Sequence, residues 1–144
     1  MKLLLTLTIG LIAGAALIAA VETHVTYIDH DQVAAKLAKG GPLVSGPGYA
    51  VSASHRDKAG QVEVHDKETD IFYVTDGEAT FVTGGTMVGG KDTAPNQHLG
   101  TEIKGGETHH LSKGVVMVIP AGTPHWFKAV PSTVSYFVVK SVQP

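Results

Sequence analysis

The sequence contains no cysteine, which removes disulfide staples, thiolate metal sites and cysteine nucleophiles together. Any chemistry here must rest on oxygen and nitrogen donors. Charge is also scarce: 17% of the residues are Asp, Glu, Lys or Arg, against about 25% in an average globular chain. Eleven Lys and Arg stand against thirteen Asp and Glu, with no long run of either sign, so nucleic acid is not expected as a partner. No internal repeat or low-complexity tract occurs, and 43% apolar residues is too many for a disordered chain. A length of 144 residues leaves room for one domain. What the chain has in excess is eight His and seventeen Gly, a composition that suits a turn-rich β fold with imidazole available for chemistry.

Lys2 is followed by an uncharged apolar stretch over residues 3–21, broken only by Thr6 and Thr8. A positive start before such a run reads as a secretory signal, and its small-residue end offers Ala13-Gly14-Ala15 or Ala20 as cleavage points. The run is also long enough to cross a bilayer core of about 30 Å, so residues 1–21 are expected to be either a signal peptide or an N-terminal membrane anchor. On both readings residues 22–144 form a single domain outside the cytoplasm, periplasmic or secreted. Membrane is a partner only if the segment is retained.

Residues 25–28 are expected to form a first strand. Asp29 or Asp31 then caps one short helix that runs through Lys39 and stops at Gly40-Gly41-Pro42. From Tyr49 onward the period changes, and YAVSASH, QVEVH, DIFYVT, EATFVT, HHLS, VVMVIP, HWFKAV and TVSYFVVK read as short strands. Asp76-Gly77 is expected to end one of them in a tight hairpin. Residues 84–106, rich in Gly, Thr and Asn, are expected to be a long connection or loose hairpin. About eight such strands must close on themselves or pack as two sheets to cover their apolar face. The fold class is therefore all-β, a jelly-roll sandwich or small barrel with one short N-terminal helix. Tyr49, Phe72, Met117, Phe127 and Tyr136 are expected in its core.

Two segments carry chemistry. In GQVEVHDKETDIFYVTDG, Glu63 and His65 lie two apart on a strand and share a face, while Val62 and Val64 take the other. A buried carboxylate and imidazole among valines cost several kcal/mol unless paired or bound to a cation. A turn at residues 67–69 returns the chain so that Asp70 can join them. In GVVMVIPAGTPHW, Pro124 fixes the chain just before His125, which is suited to act as a ligand from across the barrel.

These two segments resemble the two motifs of the cupin superfamily. Gly114, five residues, Pro120, one residue, Gly122, two residues and His125 reproduce the second motif, with Ala129 in place of its usual terminal Asn. The first motif commonly reads His-x-His, three or four residues, Glu, six residues, Gly; here the same frame reads Glu63-x-His65, four residues, Asp70, six residues, Gly77. The resemblance implies a cupin-type jelly-roll barrel in which Glu63, His65, Asp70 and His125 hold a divalent transition metal. Two imidazoles and two carboxylates suit Mn, Fe, Zn, Co or Ni without distinguishing them. Asp70, one methylene shorter than Glu, is either a direct ligand or a partner that orients His65.

Other histidines are expected at the surface: His24, His30, His98 and at least one of the adjacent His109 and His110. His55 and Arg56 end the strand before the first motif, where one of them can face the cavity and bind an anionic substrate. The functional expectation is a metal-dependent enzyme that polarises a carbonyl or hydroxyl of a small molecule, or activates oxygen, with Glu63 also available as a base. The alternative is a cupin module that binds a small ligand or a metal without turnover. The resemblance also allows a homodimer.

Overall fold

The computed structural model describes residues 24–143; the segment expected to be a signal or anchor, residues 1–21, lies outside the described residues. Among them no helix is long and apolar enough to cross a membrane. Residues 25–28 form no strand. They precede the helix α1 (His30–Lys39), with Val25 94% and Tyr27 85% exposed, so the β-favouring side chains find no sheet to pair with. Asp29 caps α1 by accepting from the Gln32 N–H at 2.9 Å, and Gly40 ends it.

Twelve strands follow among the described residues: β1 (Gly41–Gly46), β2 (Tyr49–Arg56), β3 (Val62–His65), β4 (Glu68–Thr83), β5 (Thr86–Val88), β6 (Lys91–Ala94), β7 (Gln97–Gly100), β8 (Glu102–Lys104), β9 (Glu107–Ser112), β10 (Val116–Ile119), β11 (His125–Ala129) and β12 (Val134–Val142). Ten of them form one antiparallel sheet ordered β1-β2-β12-β4-β11-β3-β7-β6, with β10 and β9 also paired to β4. β5 and β8 make a separate ribbon. The sheet curls on itself, and the mostly β chain with one short helix has the jelly-roll half-barrel expected of it.

The strand β4 is the hinge of this arrangement. Its first half pairs with β12 and β10, its second half with β11 and β9. Asp76-Gly77 therefore does not close a hairpin. Gly77 takes φ +74°, and a Cβ there would sit 2.0 Å from the Thr133 carbonyl oxygen, so only glycine lets the strand bend and continue. The two expected strands DIFYVT and EATFVT are one.

The region 84–106 is also more ordered than its composition suggests. It contains β5 to β8, and β6 and β7 form a hairpin through Asn96 at φ 63° that adds to the sheet beside β3. β1 begins at Gly41 and accommodates Pro42 because it is the edge strand.

Inside the curl, Phe72, Val74, Phe81, Leu111, Phe127 and Val134 are buried, with Tyr136 completing the aromatic cluster. Phe81 and Phe127 meet edge to face at 4.6 Å, and Phe127 stacks on Tyr136 at 5.2 Å. Tyr49, expected in the core, is 44% exposed because the alternation of β2 turns it outward, while Ser52, Ser54 and Arg56 line the interior cavity.

Candidate metal centre

The four residues of the expected ligand frame come from three strands and converge at one end of the interior. Glu63 and His65 lie on β3, Asp70 lies near the start of β4, and His125 opens β11. The register pairs His125 with Glu63, which puts both on one face of the β3–β11 ladder. The turn before β11 is tied to the first segment: Gly122 donates its N–H to the His65 carbonyl at 2.8 Å, and Ala121 donates to Thr69 Oγ1 at 3.3 Å. The two motifs are thus fixed to each other by backbone as well as by side chains.

The geometry of the polar atoms is compact. From His65 Nε2, Glu63 Oε2 is 3.5 Å away and Asp70 Oδ2 3.6 Å. From His125 Nε2 the same two oxygens are 3.9 and 3.8 Å away. Both Nε2 atoms are buried and have no hydrogen-bond partner. Their orientation is set from behind. The His125 Nδ1–H donates to the Thr123 carbonyl at 2.9 Å, and the His65 Nδ1–H donates to Gln97 Oε1. With Nδ1 donating, each ring in its neutral form presents Nε2 to the two carboxylates as a ligand atom.

Buried polar atoms without partners are costly, and one ion between the two imidazoles and the two carboxylates would satisfy both. Ligands at about 2.0 to 2.2 Å around one ion stand roughly 3.3 to 3.6 Å apart in a tetrahedron; the four imidazole–carboxylate separations are 3.5 to 3.9 Å, and the donors fall into two groups that share His65, Glu63–His65–His125 and His65–Glu68–Asp70. Nitrogen and oxygen donors without sulfur suit a divalent transition ion. The residues present thus fit such an ion, and Glu63, His65 and His125 lie close enough together to share one. Glu68 is near as well, its Oε2 3.8 Å from His65 Nδ1, on the side away from the convergent atoms.

Asp70 is almost fully buried, with one oxygen turned to the histidines and the other, Oδ1, accepting from Lys140 Nζ at 2.7 Å. Lys140 stands directly opposite Asp70 in the β12–β4 register and also meets Glu68 at 3.0 Å. Glu63 is at the rim. Burial pushes its carboxyl up, but the close approach of His65 and the charges of His125 and Arg56 outweigh this and hold it below the usual range. His65 loses basicity through burial, yet the contact with Glu63 leads a net shift upward; His125, more deeply enclosed, is pushed down by burial.

The adjacent cavity has a volume of about 220 Å³. Arg56 lies on its wall, with Nε donating to the Tyr136 hydroxyl at 3.0 Å, one terminal nitrogen 3.4 Å from Glu63 Oε1, and the guanidinium over the Phe127 ring at 4.5 Å. His55, its neighbour on β2, faces the other way and contacts Ser135 Oγ at 2.8 Å, so only Arg56 of the pair reaches the cavity. His109 is half-buried and bonded to Thr83 Oγ1, whereas His110 is exposed, as alternation requires.

Two residues near the site had no signal in the chain. Gln97 orients His65 from β7, inside the stretch that reads as a loop. His98, next to it, lies between two carboxylates, donating from Nε2 to Asp66 Oδ2 at 2.8 Å and from Nδ1 to Asp92 Oδ1 at 2.7 Å. A hydrophobic alternation too short to count hides both.

The sequence profile of the family described as Cupin matches residues 45–144. No curated protein matches the chain. Among solved structures, a Bacillus halodurans protein matches with a TM-score of 0.57 at 12% identity, covering 82% of this chain and 82% of that one. The cupin domain of Schizosaccharomyces pombe Cnp3 matches with a TM-score of 0.52 at 13% identity, over 72% of this chain and 60% of that one. A Thermus thermophilus protein reaches a TM-score of 0.50 at 20% identity, covering 74% of this chain and 84% of that one. Three other matched chains are longer, and this chain spans 53%, 44% and 43% of them. At these identities the likeness is one of fold.

Proposed function

The chain belongs to the cupin family, and from that premise we propose that it is a metal-dependent cupin that acts on a small molecule bound in the cavity beside Glu63 and Asp70. The observation that carries this reading is the pair of buried, partnerless Nε2 atoms of His65 and His125 facing two carboxylate oxygens. Glu63, His65, Asp70 and His125 would hold the ion. Bound there, it would supply Lewis-acid polarisation of a carbonyl or hydroxyl oxygen, or activation of dioxygen.

The remaining steps belong to the chain. Gln97 and the Thr123 carbonyl accept from Nδ1 of the two histidines and so favour the neutral tautomers whose Nε2 is free to bind an ion. Lys140 holds Asp70 through Oδ1 and leaves Oδ2 to face the histidines, which supports direct ligation by Asp70 over an orienting role toward His65. Glu63, whose carboxyl is held below the usual range chiefly by the contact with His65, with His125 and Arg56 adding to it, is better suited to bind a cation than to remove a proton, because lowering a carboxyl's pKa weakens it as a base. Phe72 and Phe127 keep water from the inner wall. The positive start and apolar run of residues 1–21 support a place outside the cytoplasm.

Metal analysis of protein purified without chelator tests the reading. About one divalent ion per chain is expected. Changing both His65 and His125 to Ala should lower affinity by more than the roughly 10- to 100-fold that loss of an outer partner causes. A double variant that keeps full occupancy would overturn the assignment.

A further inference from the structure

The wall of the cavity opposite the histidines is polar, and its two cations are not equivalent. Lys140 is committed: two carboxylates, Asp70 at 2.7 Å and Glu68 at 3.0 Å, take its ammonium. Arg56 is not. Its guanidinium has five N–H donors, and the protein meets it with one neutral hydroxyl, Tyr136, and one carboxylate at the long distance of 3.4 Å. It lies over the Phe127 ring, which holds the plane in place without using any donor. One terminal nitrogen is accommodated by Gly60, where a Cβ would come within 2.8 Å of it. Below Arg56 on the same face of β2 come Ser54 and Ser52, two and four residues away, both lining the cavity. Glu63 joins this wall to the ligand atoms, with Oε1 toward Arg56 and Oε2 toward the histidines.

Resting on the metal reading above, we propose that this cavity is a subsite for a small monocarboxylate, whose carboxylate is taken by the Arg56 guanidinium beside the Ser52 and Ser54 hydroxyls while its other oxygen substituent points toward Glu63 and Asp70. The size agrees: a cavity of about 220 Å³ has room for a carboxylic acid of three or four carbons. The charge agrees as well. Arg56 and Lys140 face the three carboxylates Glu63, Glu68 and Asp70, so the site by itself carries an excess of one negative charge. A divalent ion turns that into an excess of one positive charge, and a monoanion then closes the balance. Anion binding is therefore coupled to metal loading, and by linkage the anion must tighten the metal in equal measure.

The test uses the metal-loaded protein with a redox-inert ion such as zinc, lactate as the anionic probe and lactamide as its neutral counterpart, with binding followed by calorimetry. Metal content is measured first without either probe. Lactate is expected to bind at least roughly tenfold more tightly than lactamide, since a charge-assisted bond to a guanidinium is the difference between them. Arg56→Met should weaken lactate roughly 10- to 100-fold and leave lactamide unchanged, and Arg56→Lys should recover only part because the planar fork is lost. Gly60→Ala, which displaces the guanidinium without removing its charge, should weaken lactate while the melting temperature stays near wild type. Zinc affinity measured by competition should rise in the presence of lactate and not of lactamide. A protein that holds no metal would overturn both this inference and the reading beneath it. A protein that holds zinc but binds lactate and lactamide alike, or whose preference survives in Arg56→Met, would overturn the subsite alone.

Discussion

The two ends of the interior are made by the same strands and do opposite things. Along β12 the inward residues run Val134, Tyr136, Val138, Lys140; along β4 they run from Asp70 to Phe72 and Val74, and beyond the bend to Ala79 and Phe81; along β11, His125 is followed by Phe127. Each strand thus changes from apolar to polar at one end while keeping its alternation. At the apolar end the side chains meet mainly one another, with Phe81 and Val134 fully enclosed. At the polar end the buried charges have counterparts, and the two imidazole nitrogens that face the carboxylates are left without one. Stability resides mainly in the first end and chemistry in the second, and the two touch at Phe72 and Phe127, which line the cavity, and at Phe81, whose ring lies 6.1 Å from that of His125.

This division predicts that damage at the two ends separates. Phe81→Ala removes a ring that is 0% exposed, contacts Phe72 and Phe127, and reaches the polar end only through the His125 ring at 6.1 Å, which β11 and Thr123 also hold. It should lower unfolding free energy by about 3 to 5 kcal/mol. Metal stoichiometry of the protein that remains folded should be unchanged, which denaturant titration with metal analysis of the native fraction checks. Loss of metal in step with loss of stability would show that the ends are one unit.

At the polar end the reverse is expected. Gln97→Leu leaves the strand β7 intact but removes the acceptor for His65 Nδ1–H, so metal affinity should fall roughly 10- to 100-fold with little change in the melting temperature of the metal-free protein. Competition with a chromophoric chelator measures it. An unchanged affinity would mean that packing, not Gln97, fixes the ring.

Asp70 lies where the two ends could be confused, because it is both buried and charged. With Lys140 on Oδ1 and the histidines facing Oδ2, the site is filled by the shorter side chain. Asp70→Glu should therefore cost about 1 to 3 kcal/mol from overpacking, although glutamate is the commoner residue of the motif. Asp70→Asn should lower metal affinity because the charge is lost. Thermal melts with and without metal distinguish them, and a Glu variant as stable as wild type would return Asp70 to the role of an adjustable partner.

How much of this is legible in the chain follows from the range of each signal. The second motif is local: Pro120, Gly122, Pro124 and His125 set one turn, and the structure builds that turn as the spacing implies. The Glu63 and His65 pairing is also local, since residues two apart on a strand share a face. The bend at Gly77 is not, because Asp-Gly is a hairpin signal in isolation, and only the close approach of Thr133, far along the chain, shows that the strand continues. Gln97 and Lys140 leave no local signal at all. Their roles come from register across the sheet, β7 on β3 and β12 on β4, which no window along the chain contains.

The smallest effect concerns the outer support of the polar end. His98 donates from both ring nitrogens to carboxylates, Asp66 in the β3–β4 turn and Asp92 on β6, which requires an imidazolium. These hydrogen bonds, with Asp66 first and Asp92 second, hold its pKa above the ordinary value. A group raised on folding contributes stability in full below its unfolded pKa of about 6.5, and the contribution disappears as pH rises through the higher folded value. The bridge ties the β6–β7 hairpin to the turn that follows His65, so its loss should loosen Gln97 before it affects the core. Melting temperatures of wild type and His98→Asn should therefore differ more at pH 6 than at pH 9, with the two curves converging on the alkaline side. Because the side chain is near solvent, the gap should also shrink in high salt. A difference that stays constant with pH would show that His98 acts through packing on β7 and not through its charge.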